Sequence, residues 1–231
     1  MREVFDIKFR NPLGATLTLE SARKPFTLRR ASLCSFIELG PISFMGEGGI
    51  KDTLNWIMGR SKPEDYHIAL RLSKHPEITA EEQIRHNMLR SFSYAYDFAD
   101  FFVLDFGREE MGAVQELDYI RAITDPILDA RLGYEEFKPV ILKITPRLGE
   151  RELDQILDYC LMNGIDAVES ADIQQIGKIN AFSSSRLPII GCITAADQVS
   201  VDAMLNAGAS LVDIDAPHIF RAQLKHLLKS L

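Results

Sequence analysis

Short runs of β-branched and apolar residues recur along the chain, and helical periodicity fills the stretches between them. The runs are NPLGATLTL (11–19), SFIELGPI (35–42), HIALRLS (67–73), FFVLDFG (101–107), KPVILKITP (138–146), GIDAVES (164–170), LPIIGCIT (187–194) and ASLVDIDA (209–216). Between the fifth and sixth, Leu153, Ile156, Leu157, Cys160 and Leu161 fall at i, i+3, i+4, i+7 and i+8, one face of a helix, and Gly164 supplies its stop. Before the fourth, Ile84, Met88, Phe92 and Tyr96 repeat every four residues. Before the eighth, Val201, Met204 and Leu205 form the apolar face and Gly208 ends it. Phe220, Leu224, Leu227 and Leu228 mark a last helix, with Pro217 suited to its first turn. Pro126 is expected to break or end the helix of 110–125, because proline has no N–H for the helical ladder. The stretch 43–66 predicts one short helix near 50–58 and a loop.

Strands that alternate with helices imply a parallel sheet, since parallel pairs need crossover connections. No Ser/Gly-rich linker or like-charge block divides residues 1–231. The expected architecture is a single α/β domain, a (β/α)8 TIM barrel. A doubly wound open sheet is the alternative, but its Gly-rich dinucleotide turn is absent, as is the P-loop pattern. In a barrel the chemistry sits at the C-terminal ends of the strands.

Composition changes this picture little. Of 231 residues 46% are hydrophobic and 26% charged, and 26 Lys+Arg against 33 Asp+Glu give a net charge of −7, the balance of an ordinary soluble globular chain. The acidic balance, with no basic stripe interleaved with aromatics, argues against nucleic-acid binding. No apolar run is long enough to cross a bilayer, and MREVFDIKFR (1–10) lacks the apolar core of a signal peptide. Cys34, Cys160 and Cys192 share no CxxC spacing and read as buried thiols in a reducing compartment. The expected location is cytoplasmic.

Charges among the strand residues are the main chemical signal. Arg71, Asp105, Lys143 and Glu169 lie on four consecutive strands amid apolar neighbours, with alternating sign; Glu38 and either Asp213 or Asp215 add carboxylates. Buried charges must pair, find water or shift their pKa. Adjacent strands are about 4.8 Å apart, so these side chains can meet. One reading is a structural ion-pair network across the barrel mouth, with Lys143 paired to Asp105, Glu169 or both and Arg71 beyond Asp105. The other is a site for a small anionic or carbonyl ligand, in which Lys143 is a cation or amine nucleophile and Asp105 or Glu169 handles protons. The five histidines form no metal-ligand spacing, so no metal is expected, although His75 and His218 could reach the top face. Glu47-Gly48-Gly49 reads as a tight turn or as an anion-facing loop.

These residues resemble the dihydroorotate dehydrogenases, the FMN-dependent barrels of pyrimidine synthesis, and in particular their quinone-linked branch. NPLG (11–14) and FIELGPI (36–42) are similar to the family's first two strands, and FMGEGG (44–49) to its Asn-x-Met-Gly-Phe-Asn-Asn segment. KPVILKITPRL (138–148) resembles the strand that holds the flavin-contacting lysine, here Lys143; LPIIG (187–191) and AGASLV (207–212) resemble the last two strands. The resemblance implies FMN as cofactor, with Lys143, Arg71, Gly191 and Thr194 among its contacts.

The departures fall on functional positions. Thr16–Ser21 replace Ala-Ala-Gly-x-Asp-Lys of the first loop, and Arg108 stands where the family has its serine base. An arginine stays protonated and cannot take a proton from carbon. Glu169-Ser170-Ala171 replaces Thr-Asn-Thr, Gly191-Cys192-Ile193-Thr194 replaces Gly-Val-Gly-Gly, and Asp215-Ala216-Pro217 replaces Tyr-Thr/Ser-Gly, which removes phosphate-facing glycines and adds a carboxylate. The segment between the sixth and seventh strands looks shortened, and the family's N-terminal membrane-associating helices are absent. The resemblance thus implies a family member with degenerate flavin and base motifs and no dehydrogenase activity, acting through binding or assembly. Two alternatives are an active FMN enzyme that oxidises dihydroorotate to orotate, and a Schiff-base enzyme that uses Lys143.

Overall fold

A computed structural model describes residues 1–46, 49–59, 66–107, 116–215 and 221–230. A hairpin comes first, β1 (Arg2–Val4) and β2 (Ile7–Phe9), paired antiparallel. Eight parallel strands follow and close into a barrel: β3 (Leu13–Leu17), β4 (Phe36–Ile42), β5 (His67–Leu72), β6 (Phe101–Asp105), β7 (Val140–Lys143), β8 (Ala167–Ser170), β9 (Ile189–Ile193) and β10 (Leu211–Ile214), with β10 pairing β3. The helices between them are α1 (Leu19–Arg23), α2 (Pro25–Ala31), α3 (Ile50–Met58), α4 (Glu81–Ala95), α5 (Leu117–Arg131), α6 (Glu150–Asn163), α7 (Ile173–Ser183) and α8 (Gln198–Ala207), and α9 (Arg221–Ser230) follows β10. The order strand, helix, strand around a closed parallel sheet is the (β/α)8 barrel that the periodicity predicts.

Local chemistry sets the boundaries. β3 is shorter than the apolar run 11–19 because Thr18 caps α1, its hydroxyl accepting from the Ser21 N–H at 3.2 Å. Gly164 and Gly208 end α6 and α8 with φ of 76° and 115°, a region that costs a side chain. Pro126 does not end its helix: α5 runs through it from Leu117 to Arg131. The apolar face continues on both sides, with Ile120 and Ile123 before it and Ile127 and Leu128 after it, all buried. Burial of that face outweighs one missing helical hydrogen bond. Pro217 and Phe220 lie outside the described residues.

Two apolar regions divide the core. Outward strand residues such as Ile37, Leu70, Leu104 and Leu142 pack against the helices. The lumen is filled separately by Phe36, Ala69, Phe101, Val103, Ile141, Ala167, Ile190 and Leu211. Gly14 is small because Phe36 fills the space: a Cβ there would stand 2.0 Å from the Phe36 ring. The N-terminal hairpin plugs the bottom of this lumen with Val4 and Phe9, and Phe9 meets Phe36 and Phe101 edge-on at 5.9 and 6.3 Å between ring centroids. No helix among the described residues is long and apolar enough to cross a membrane.

Candidate active site at the barrel mouth

Successive strand residues point to opposite faces, so the residue two places beyond a lumen residue is in the lumen again, one layer higher. Going round the barrel from β3, that next layer is Thr16, Glu38, Arg71, Asp105, Lys143, Glu169, Cys192 and Asp213, two places beyond Gly14, Phe36, Ala69, Val103, Ile141, Ala167, Ile190 and Leu211. Every strand supplies one polar or charged side chain to this ring. All are buried except Lys143, whose side chain keeps 15% of its exposure.

The ring is bonded side to side. Lys143 Nζ is in contact with Glu169 Oε1 and lies 3.2 Å from Cys192 Sγ; the Cys192 thiol donates to Glu169 Oε1 at 2.6 Å. Cys192 Sγ is 4.0 Å from Asp213 Oδ2, which contacts the Thr16 hydroxyl, and that hydroxyl is 3.4 Å from Glu38 Oε1. Arg71 Nε is 3.1 Å from Glu38 Oε1 and 3.8 Å from Asp105 Oδ2. Asp105 Oδ1 accepts from the Gly107 N–H at 3.0 Å. Gly40 makes room for Arg71, since a Cβ there would come within 2.6 Å of Arg71 Cβ.

Burial and charge set the protonation states. Burial pulls the Lys143 ammonium down, but the Glu169 carboxylate beside it overcomes this and holds it well above its ordinary value. Burial raises the Glu169 carboxyl, and Lys143, Cys192 and Arg71 more than reverse this, leaving it low. Burial and the Glu169 charge push Glu38 well up despite Arg71 and Lys143. Burial, with Glu169, pushes Asp213 up to about 7. Burial and Glu169 also keep Cys192 a thiol, well above its ordinary range.

Sequence reasoning and the structure agree on part of this ring. Lys143 and Glu169 are brought together, and Arg71 joins Asp105, here with Glu38 on its other side. Of the two candidate aspartates on the last strand, Asp213 faces the ring and Asp215 is exposed. Thr16 and Cys192 went unnoticed as ring members; the signal was their place two residues beyond a small or apolar lumen residue. Glu169, Cys192 and Asp213 also place ligand-type atoms within 4.8 Å of one another, a grouping without histidine drawn from three strands. The Lys143 ammonium already touches two of the three.

The rim is acidic where the resemblance implies a phosphate. A cavity of about 460 Å³ lies over the ends of β8 and β9, lined by Asp172, Cys192, Thr194, Ser200 and Met204. The α7 and α8 N-termini border it, but each is capped by its own aspartate: Asp172 accepts from Gln175 N at 2.7 Å and Asp197 from Ser200 N at 2.8 Å. Thr194 is exposed on this rim. Gly191 serves packing, since a Cβ there would stand 3.1 Å from Met204 and 3.3 Å from Ile176. Only Ala171 and Asp172 join β8 to α7, a short connection. His75 stands beside Gly46, 3.0 Å from the place of a Cβ there. Glu47, Gly48, Arg108, Ala216 and His218 lie outside the described residues.

No family model matches the chain. Curated relatives do, at low identity and over most of the chain. A dihydroorotate dehydrogenase (quinone) of Pectobacterium atrosepticum is 22% identical over 273 aligned positions, covering 93% of this chain and 81% of the relative. One of Salinispora arenicola is 23% identical, covering 95% and 80%. Among solved structures, a ligand-free type DHODH from Eimeria tenella superposes with a TM-score of 0.79 at 14% identity, over 98% of this chain and 84% of that one. The aldolase QR15 superposes with a TM-score of 0.69 at 11% identity, over 96% and 97%. The aligned positions outnumber the 231 residues here, so the relatives carry extra segments. The chain is a divergent, dihydroorotate-dehydrogenase-like (β/α)8 barrel.

Proposed function

We propose that this barrel has exchanged its flavin for a self-contained ring of charges, that it does not oxidise dihydroorotate, and that whatever activity it keeps is binding. One observation carries this reading: the Lys143 ammonium, at the position the resemblance gives to a flavin contact, is in contact with Glu169 and 3.2 Å from Cys192. A flavin ring in the mouth would have to break those contacts and leave Glu169 buried and uncompensated, which is costly.

The rim supports the same reading. A phosphate needs free backbone N–H groups at a helix N-terminus, and here Asp172 and Asp197 occupy them with carboxylates that would repel a dianion. The residues present therefore do not fit FMN. With Lys143 held by Glu169 and Arg71 by Glu38 and Asp105, both cations of the mouth are already paired, which also disfavours an anionic ligand. The held ammonium weighs equally against a Schiff-base role for Lys143, which requires a neutral amine.

An absorbance scan of the native purified protein, followed by titration with FMN and a dihydroorotate-dependent quinone assay, tests the proposal. The expected result is no flavin band, no saturable FMN binding and no turnover. Stoichiometric FMN in the isolated protein would overturn it and restore the flavin oxidoreductase.

A further inference from the structure

We infer that Glu38, Thr16 and Asp213 form a buried proton-binding site at the seam where the first and last barrel strands meet, and that loss of its proton loosens that seam. This goes beyond the fate of the flavin and does not rest on it.

Thr16 stands on β3 between Asp213 of β10 and Glu38 of β4; its hydroxyl contacts Asp213 Oδ2 and is 3.4 Å from Glu38 Oε1. A threonine hydroxyl has one hydrogen, and an ionised carboxylate can only accept. Two ionised carboxylates on one hydroxyl would leave one contact with no hydrogen in it. A proton on one acid completes both bonds. Glu38 Oε1 already faces the Arg71 guanidinium at 3.1 Å, whereas Asp213's contacts among the described residues are the Thr16 hydroxyl and the Cys192 thiol 4.0 Å away. The Thr16 hydroxyl therefore bridges two acids of which at least one is protonated, and Asp213, pushed up to about 7, is the one that gives up its proton near neutral pH.

Charge balance points the same way. Round the barrel Asp213 shares the lumen with Glu38, Arg71, Asp105, Lys143, Glu169 and Cys192, and the Cys34 thiol also feels its charge. Among the acids and cations of this layer, four carboxyls meet two cations, and all four carboxyl side chains are fully buried. Such an excess in low dielectric is relieved by taking up protons. Among the described residues Glu38 Oε2 and Asp213 Oδ1 have no hydrogen-bond partner. The seam itself is short: among the described residues β10 and β3 pair through Val212–Leu13, Asp213–Gly14 and Ile214–Ala15. A charge appearing on Asp213 beside Thr16 would bear on these paired positions.

The sign of the pH effect follows. The Asp213 carboxyl, raised from 3.8 to about 7 on folding, makes the folded chain bind more protons than the unfolded chain in that window. Its contribution to stability is complete below the unfolded value and is lost as pH rises through the folded one.

The test is thermal unfolding of the full chain between about pH 5 and about pH 8, with infrared difference spectra of the protonated-carboxyl C=O stretch. The wild-type midpoint is expected to fall across this range, and Asp213→Asn, a neutral mimic of the protonated acid, to flatten that fall. The wild type is expected to show protonated-carboxyl absorption below neutral pH, and the part of it that disappears as pH rises to about 8 is expected to be missing in Asp213→Asn. Should that variant fail to fold, the wild-type band decides. A wild-type protein with no protonated-carboxyl band at about pH 5, or Asp213→Asn with an unchanged pH slope, would overturn the inference.

Discussion

Replacing Lys143 with methionine isolates the cost of one buried charge. Methionine matches the length of the lysine stem and removes only the ammonium. Glu169, fully buried, then keeps the Cys192 thiol as a donor but loses its cation. Removing one member of a buried pair costs about 3–5 kcal/mol. Lys143 keeps 15% of its side-chain exposure, so water screens the pair in part and the lower end, about 3 kcal/mol, applies. For a chain of this size that is a drop of roughly 6–12 °C in Tm. Urea unfolding at neutral pH should show the loss as a lower midpoint with the same slope. Glu169→Gln in the same background should return most of it, with a coupling of about 1–3 kcal/mol in the double-mutant cycle. The pH dependence has a definite sign. In the wild type the Glu169 carboxyl is low, so its contribution is present above its unfolded value and lost in acid. In Lys143→Met burial raises it instead, so the deficit should shrink as pH falls. A variant within about 1 kcal/mol of the wild type, or a deficit that ignores residue 169, would refute an internal ion pair and return Lys143 to the ligand-site reading.

Two further outcomes probe the frame that holds the ring. Phe9→Ala removes the ring at the bottom of the lumen, where Phe9 is fully buried against Phe36 and Phe101, and should cost about 3–5 kcal/mol in chemical denaturation; a loss under about 1 kcal/mol would show that the hairpin is not a plug. Pro126→Ala restores an N–H in the interior of α5 and should raise Tm, by an amount equivalent to about 1 kcal/mol or more; an unchanged or lower Tm would show that α5 has already absorbed the proline without loss.

Much of the fold was legible because strands and helices write different periods. Every expected strand run contains an observed strand, and Gly164 and Gly208 stop their helices where the sequence places them. Pro126 misled because a local rule counts one hydrogen bond, whereas the helix is held by an apolar face on both sides of it. The N-terminal hairpin was missed: Val4 and Phe9 alternate with charged residues over three-residue strands, too short to show a period, and only the open bottom of a finished barrel gives them something to cover.

The candidate site divides in the same way. Arg71, Asp105, Lys143 and Glu169 stood out in the sequence because a charge amid strand residues is costly and must be answered. Thr16 and Cys192 are uncharged and give no such warning, although the period of two places them in the same layer. Which acid answers which base was not written in the chain: Lys143 has oppositely charged neighbours on both flanking strands, Asp105 and Glu169, and sequence order treats them alike. Closure of the barrel decided it. The stagger of the strands puts Arg71 between Glu38 and Asp105, turns Lys143 to Glu169 and Cys192, and brings Asp213 across the seam to Thr16, nearly two hundred residues away in sequence. The sequence by itself determined that the lumen carries a polar layer; only tertiary structure, by fixing register and burial together, decided where its protons and counter-ions lie.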